Sequence, residues 1–256
     1  MKNDLMNTSL SIKNVYYSYD DQLVLRNINL DIQKGEFVSL IGPSGSGKST
    51  LLNIISGLEL PESGKITIDG QEVSTLGKTS HMHQQDTLLP WRNALDNAIL
   101  GLEINGFSKD KSKKIAIKLF REFGLFESLY KMPWQMSGGM KQRIAFLRNM
   151  LLSNEILLLD EPFGSVDAIT RTSLRKWLKN ILVDYPRTVL LVTHDIDEAI
   201  LLSSKIFVMG DKDFGIIKEI STSNIIEKNG DIIFNESYLL IRRQILELLK
   251  LGKGSN

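Results

Sequence analysis

The sequence predicts an α/β fold: a parallel-sheet core, opened by an antiparallel β segment and interrupted by a helical insertion. Three observations carry this. The runs Phe37-Val38-Ser39-Leu40-Ile41, Ile156-Leu157-Leu158-Leu159 and Thr188-Val189-Leu190-Leu191-Val192 are continuously apolar or nearly so, the pattern of strands buried on both faces. The first of them leads directly into a glycine-rich loop and then into Leu51-Leu52-Asn53-Ile54-Ile55-Ser56, which reads as a helix. From about 90 to 152 the strand pattern gives way to helical spacing.

The elements follow in order. Leu10 to Tyr17 and Val24 to Ile32 are β-rich, and Gly35-Glu36 turns into the first core strand. After the first helix, Pro61-Glu62-Ser63-Gly64 is a turn. Lys65-Ile66-Thr67-Ile68 alternates and ends in the turn Asp69-Gly70. Thr79 to Met82 is a short strand. In the helical stretch Ile115, Leu119 and Phe123 recur at four-residue steps with lysines between them, which predicts a core-facing stripe. Ile206-Phe207-Val208-Met209 is a further core strand. Ile241, Ile245, Leu248 and Leu249 form a stripe on a final helix, expected to dock on its own domain, and Gly252-Lys253-Gly254-Ser255-Asn256 is expected to fray.

The composition bounds the function. The chain has 256 residues, enough for one large α/β domain with an inserted subdomain. Its formal net charge of +1 carries no footprint for nucleic acid. It contains no cysteine, which excludes a disulfide framework and a zinc-thiolate site and fits a cytosolic chain. No stretch approaches the roughly 20 apolar residues of a membrane span, and Met1-Lys2-Asn3-Asp4-Leu5-Met6-Asn7 lacks the apolar core of a signal peptide.

The chemistry concentrates in a few motifs. Gly42-Pro43-Ser44-Gly45-Ser46-Gly47-Lys48-Ser49-Thr50 is a phosphate-binding loop in the required strand–loop–helix context, so the core reads as a P-loop NTPase. Its glycines let successive N–H groups turn towards an anion, and the helix N-terminus adds a favourable dipole. Lys48 can reach the β- and γ-phosphates of ATP, and Ser49 offers a hydroxyl to Mg²⁺. Asp160 ends the second apolar run and can hold Mg²⁺, a cation that takes oxygen ligands. Glu161, one residue on, can polarise an attacking water.

The stretch Gln135-Met136-Ser137-Gly138-Gly139-Met140-Lys141-Gln142-Arg143 narrows the field. With it the chain resembles the ATP-binding subunits of ABC transporters over nearly its whole length, as a single domain of residues 1–256. The resemblance implies that Tyr19 stacks on adenine and that Gln84, chosen over Gln85 by its spacing to Trp91, contacts Mg²⁺ and the attacking water. It implies that Asp167, in Ser165-Val166-Asp167, belongs to the loop facing a second copy, and that His194 is the switch histidine. Asp195 is expected to cap the helix after it, with Glu198 completing a capping box. His81 and His83 match no role. Two copies are expected to face each other head to tail, so that Ser137, Gly138 and Gly139 of one complete the phosphate site of the other.

Thr87-Leu88-Leu89-Pro90-Trp91-Arg92-Asn93 and the segment from Phe163 to Arg171 resemble the importer branch that serves nitrate, sulfonate, taurine and thiamine precursors. This implies an ATPase at the cytoplasmic face of the membrane, held there by a transmembrane permease subunit and served indirectly by an extracytoplasmic solute-binding protein. Leu88, Leu89 and Trp91 are the expected permease contact. The segment 211–256 departs from the family pattern, with Asp211-Lys212-Asp213-Phe214-Gly215 where a turn of arginine, proline and glycine is usual. A non-transport ABC ATPase of the translation or DNA-repair type is the alternative, disfavoured by a lone phosphate loop and the absence of sustained heptads. A non-hydrolysing module is disfavoured by the joint presence of Glu161, Gln84 and His194.

Overall fold

The computed structural model describes residues 8–72, 77–210, 215–223, 225, 227–228, 231–232 and 236–252. The expected frayed tail from Lys253 onward and the unusual segment 211–214 lie outside the described residues. In chain order the elements are β1 (Thr8–Tyr19), β2 (Gln22–Gln33), β3 (Phe37–Ile41), α1 (Lys48–Ser56), β4 (Ser63–Ile68), β5 (Gln71–Glu72) and β6 (Thr79–Met82). Then come α2 (Ala94–Ala98), α3 (Leu100–Ile104), α4 (Lys109–Glu122), α5 (Gly138–Met150), β7 (Ile156–Asp160) and α6 (Ala168–Asp184). The chain continues with β8 (Thr188–Thr193), α7 (Ile196–Leu202), β9 (Lys205–Met209), β10 (Ile216–Ser221), β11 (Glu227–Lys228), β12 (Asp231–Ile232) and α8 (Glu236–Gly252). Two compact units result, Met1–Thr79 with Arg187–Asn256, and Ser80–Pro186.

In the first unit, β2, β1, β4 and β5 form an antiparallel sheet in that order. Leu10 pairs with Ile32, and Ile12 with Leu30, so alternate residues turn inward and are buried. The β1–β2 hairpin closes through Asp20 and Asp21, whose φ angles of 44° and 66° give the left-handed pair that matches strand twist in a two-residue turn. Gly64 at the start of β4 has φ 91°, and a Cβ there would stand 2.2 Å from the Asn14 carbonyl oxygen, so only glycine permits that approach.

The other sheet of this unit runs in the order β10, β9, β3, β8. β3 pairs parallel with both β8 and β9, and Val38, Leu40 and Ile41 are fully buried, as the continuous apolar run predicts. Helix α8 packs here. Tyr238 and Ile245 are buried with Ile41, Ile200 and Val208, and Ile241, Leu248 and Leu249 pack against that cluster.

In the second unit, β7 lies beside β6 and the helices form their own core. The rings of Phe123, Phe146 and Trp177 pack edge-on or tilted, with centroids 5.4–6.2 Å apart. This ties the end of α4 to α5 and α6, and the Trp177 indole N–H donates to the Phe123 carbonyl at 3.2 Å. Two expectations need correction. The stripe on α4 holds at Phe123, which is buried, but not at its start: Ser112, Ala116 and Phe120 are buried, while Ile115 is 39% exposed. Periodicity sets the spacing of a face, and here that face begins with the small residues Ser112 and Ala116 and ends on Phe120. Leu88 is buried, not offered to a partner, whereas Trp91 is 71% exposed. The loop between them is pinned by the fully buried Asn97, which accepts from the Leu89 N–H at 2.7 Å and donates to the carbonyls of Leu89, Arg92 and Asn93.

Replacing Ile245 with alanine should remove a fully buried anchor of α8. The expected loss is about 2–5 kcal/mol of unfolding free energy by denaturant titration. An unchanged midpoint would mean that α8 contributes nothing to the unit's stability.

Candidate nucleotide-binding site

The register of the first unit sets the site. Ile41 of β3 pairs with Thr193 of β8, so the glycine loop beginning at Gly42 and the turn carrying His194 leave neighbouring strand ends. That is where a parallel sheet presents its loops to a ligand. Within the loop, Gly45 and Gly47 take φ of 82° and 91°, and a Cβ on Gly47 would stand 2.6 Å from Leu25 Cδ2. A Cβ on Gly42 would stand 2.8 Å from the Ser46 hydroxyl, itself buried. Both glycines are therefore fixed by space, and Gly47 by backbone conformation as well.

The loop delivers the chain into α1 with Gly47 at the N-cap and no side-chain hydrogen bond to the first turn, which carries no acidic residue. The first helical bond runs from the Leu51 N–H to the Gly47 carbonyl at 2.9 Å. The N–H groups of Lys48, Ser49 and Thr50 precede it, and the first N–H groups of a helix have no partner within it. Lys48 curls back over the loop. Its buried Nζ donates to the carbonyls of Gly42 at 2.9 Å and Pro43 at 2.6 Å, and to the Ser46 hydroxyl at 3.3 Å. Carbonyls are exchangeable partners for an ammonium when a phosphate oxygen arrives. Pro43 is half-buried, and Ser44, Gly45 and Ser49 are exposed, Ser49 at the helix start.

Tyr19 ends β1, 43% exposed, and its ring stands edge-on to Tyr17 with centroids 4.9 Å apart, leaving a face for stacking. His194 is exposed just past β8. Asp195 caps α7, accepting from the N–H groups of Asp197 at 2.9 Å and Glu198 at 3.0 Å. The buried Glu198 takes the Thr193 hydroxyl at 2.7 Å, and that hydroxyl oxygen accepts the Asp195 N–H at 3.0 Å. Asp195 thus supplies the expected cap, but its own N–H goes to Thr193 rather than to Glu198, which is tied to the same turn through that hydroxyl.

The second unit assembles the other residues. Asp160 ends β7, half-buried. Glu161 follows with φ 44°, a left-handed turn that aims its side chain away from the strand. Gln84 Nε2 donates to Glu161 Oε2 at 3.1 Å. Gly164 lies beside this pair, and a Cβ there would make ordinary contacts, 3.4 Å from Glu161 Oε2 and 3.6 Å from Gln84 Nε2. Ser137 caps α5 by accepting the Met140 N–H at 3.3 Å, which leaves its own hydroxyl proton to donate. Ser137 and Gly138 are exposed. Gly139 is buried, and a Cβ there would stand 2.8 Å from Thr170 Cγ2. Asp167 caps α6, accepting from Ile169 at 3.1 Å and Thr170 at 3.0 Å. The Thr170 N–H, first among its contacts, holds this carboxyl below the usual range.

Gln142 is the residue that motif reading passes over. It is buried, donates to the Ser165 hydroxyl at 3.0 Å and reaches the Gln84 carbonyl at 3.5 Å, so α5 positions the segments of both Gln84 and Ser165. Its burial about one turn into α5 is what marks it, and a sequence shows spacing but not burial. Arg143 beside it turns inward to lie 5.2 Å above the Trp177 ring. Arg148 donates to Asp86 and Thr87 and fixes the turn after Gln85.

Ser49 in the first unit, and Asp160 and Gln84 in the second, each offer oxygen, the donor that Mg²⁺ takes. Among the described residues no cluster of three His, Cys, Asp or Glu side chains forms a metal cage. Mg²⁺ keeps several waters and needs only one or two protein oxygens beside phosphate, so donors of this kind fit it. His81 and His83 stack with ring centroids 4.0 Å apart, and burial, with His83 adjacent, pushes the His81 imidazole from 6.5 down to about 4.

Comparison with known proteins gives a consistent picture. A family model described as ABC transporter matches residues 25–164. An aliphatic sulfonates import ATP-binding protein of Rhodococcus jostii is 43% identical over 213 residues, covering 82% of each chain. A formylaminopyrimidine import ATP-binding protein of Halalkalibacterium halodurans is 46% identical over 202 residues, 78% of each chain. A dimeric ATP-binding cassette, solved in a post-hydrolysis state bound to ADP and Pi, superposes with a TM-score of 0.72 at 33% identity, over 84% of this chain and 99% of that one.

The depressed His81 has a measurable consequence. An unfolded chain takes up this proton near pH 6.5, whereas folded His81 resists it until about pH 4. Stability present above pH 6.5 is therefore lost as the pH falls towards 4. His81→Leu should reduce the loss between pH 7.5 and 4.5 by roughly 2–3 kcal/mol, read by urea titration at both values. Equal acid losses in both proteins would show that His81 does not titrate in this way.

Proposed function

The chain belongs to the ABC transporter family, and we propose that it is the ATP-hydrolysing subunit of an importer, driving solute uptake through a separate permease. The observation that carries the nucleotide reading is Lys48, its ammonium held by loop carbonyls at the mouth of a helix whose N-cap is a glycine. The loop N–H groups receive the phosphates, and Lys48 exchanges its carbonyl partners for the β- and γ-oxygens. Tyr19 stacks on the adenine. Ser49, Asp160 and Gln84 hold Mg²⁺, which when bound neutralises charge on the phosphate oxygens.

Glu161 is the base. Its contact with Gln84 supports this, because the amide fixes the carboxylate and can share a water with it. His194 acts on the γ-phosphate from the end of β8. Ser137, whose hydroxyl proton remains available, acts with the N–H groups of Gly138 and Gly139 on the nucleotide of a second copy. Asp167 serves the contact between copies. ATP is then an interfacial ligand, and loss of its γ-phosphate releases the closed dimer. The reading as an importer subunit rests on the relatives named above. It entails a peripheral position at the cytoplasmic face of the membrane and an external solute-binding protein upstream. Among the described residues no helix is long and apolar enough to cross a membrane. Trp91, 71% exposed beside the Gln84 segment, is the proposed permease contact.

Glu161→Gln should keep ATP binding and cut hydrolysis by roughly 10²–10⁴-fold, measured as phosphate release alongside nucleotide affinity. Size-exclusion with ATP should show the variant as a stable dimer. Near-normal turnover would remove Glu161 from this role. Ser137→Arg should abolish dimerisation and hydrolysis while the monomer still binds ATP. Loss of ATP binding in a folded Ser137→Arg chain would contradict the across-interface role.

A further inference from the structure

Asp197 lies in the first turn of α7, two positions past the Asp195 cap. One of its oxygens, Oδ1, receives two donors from α8: the Tyr238 hydroxyl at 2.6 Å and Arg242 Nε at 3.1 Å. Tyr238 is 2% exposed, and burial, reinforced by the Asp197 contact, pushes its phenol up, so it stays a donor throughout the working pH range. The Asp197–Arg242 pair is partly exposed. On its other side the same helix terminus is tied to β8, through the Thr193 hydroxyl, Glu198 and the Asp195 N–H. His194 is the residue between Thr193 and Asp195. The turn that carries it is therefore clamped by a core strand on one flank and by the C-terminal helix on the other.

We propose that Tyr238 and Arg242 are positioning residues for His194, so that the C-terminal helix sets the rate of ATP hydrolysis without setting ATP affinity. The inference rests on His194 acting at the γ-phosphate. Two features separate it from simple docking. Helix α8 already has an apolar anchor in Ile245, and a helix held by packing alone does not need two donors converging on one carboxylate oxygen at the start of α7. An aspartate in the first turn is also favoured by the helix dipole, so the contact fixes the end of α7 nearest His194 rather than its middle.

The test uses the full chain. Tyr238→Phe keeps the ring and removes only the hydroxyl, and Arg242→Gln removes the charge. The double variant should lose kcat by about tenfold, with KM for ATP within about twofold of the parent, because misplacement of an acting group costs rate before it costs binding. Arg242→Lys, which keeps a donor and a charge, should recover most of the rate. Melting curves establish that the assay temperature lies below each transition, and Tyr238→Phe alone serves if the double variant does not fold. An unchanged kcat in a folded variant overturns the proposal. So does a loss of kcat and ATP affinity together in step with Tm, the mark of a purely structural helix. His194→Ala separates the two layers. If it is inactive while the latch variants are normal, only the positioning role fails. If His194→Ala is itself normal, the reading of His194 fails with it.

Discussion

The parallel pairing of β3 between β8 and β9 is the constraint on which the first unit depends. Its side chains at Val38, Leu40 and Ile41 are removed from water entirely, and each such burial contributes about 1.5–3 kcal/mol relative to exposure. Every residue of β3 is paired in register with β8, from Phe37 with Val189 to Ile41 with Thr193. The pairing of Ile41 with Thr193 therefore fixes where the chain leaves the sheet. Two loops of different chemistry, one of glycines and a lysine and one with a histidine, emerge together because a hydrophobic register brings their strands to the same level.

Helix caps divide the labour within each unit. Asn93, Ser137, Asp167 and Asp195 each spend a side-chain oxygen on the first turn of their own helix. Those turns are satisfied internally and serve as rigid mounts. Helix α1 departs from this with a left-handed glycine at the N-cap. A missing cap alone does not make an anion site, since α3 and α4 also lack a side-chain cap bond. What distinguishes α1 is the combination of a glycine loop folded over the helix mouth and a buried lysine held within it.

Much of this was legible in the sequence where the signal is local. The glycine loop, the continuous apolar strands, the serine and two glycines that open α5 and the stripe on α8 are all read from spacing. Reading failed where burial decides. Ile115 follows the same four-residue step as Phe123, yet the face that packs is the one carrying Ser112 and Ala116, small residues that let the helix approach closely. Leu88 and Trp91 looked like one apolar group, but the buried amide of Asn97 draws the chain into a turn that places them on opposite sides of the surface. Gln142 and Asp197 gain their importance from partners far away in the chain, at Ser165 and Tyr238. Single-chain spacing does not encode such pairings.

The close approach of α5 to α6 at Gly139 carries an evolutionary consequence. A methyl group at 139 would stand 2.8 Å from the Thr170 side chain, so the two positions share one volume. Descendants of this chain can enlarge residue 139 only after residue 170 has shrunk, and the reverse order of substitution passes through an overpacked intermediate that costs about 1–3 kcal/mol. The helix starts capped by Ser137 and Asp167 are thus constrained by one shared volume. Lineages that drift at one of them carry the history of the other, and grafting one helix start from a relative calls for grafting its neighbour with it.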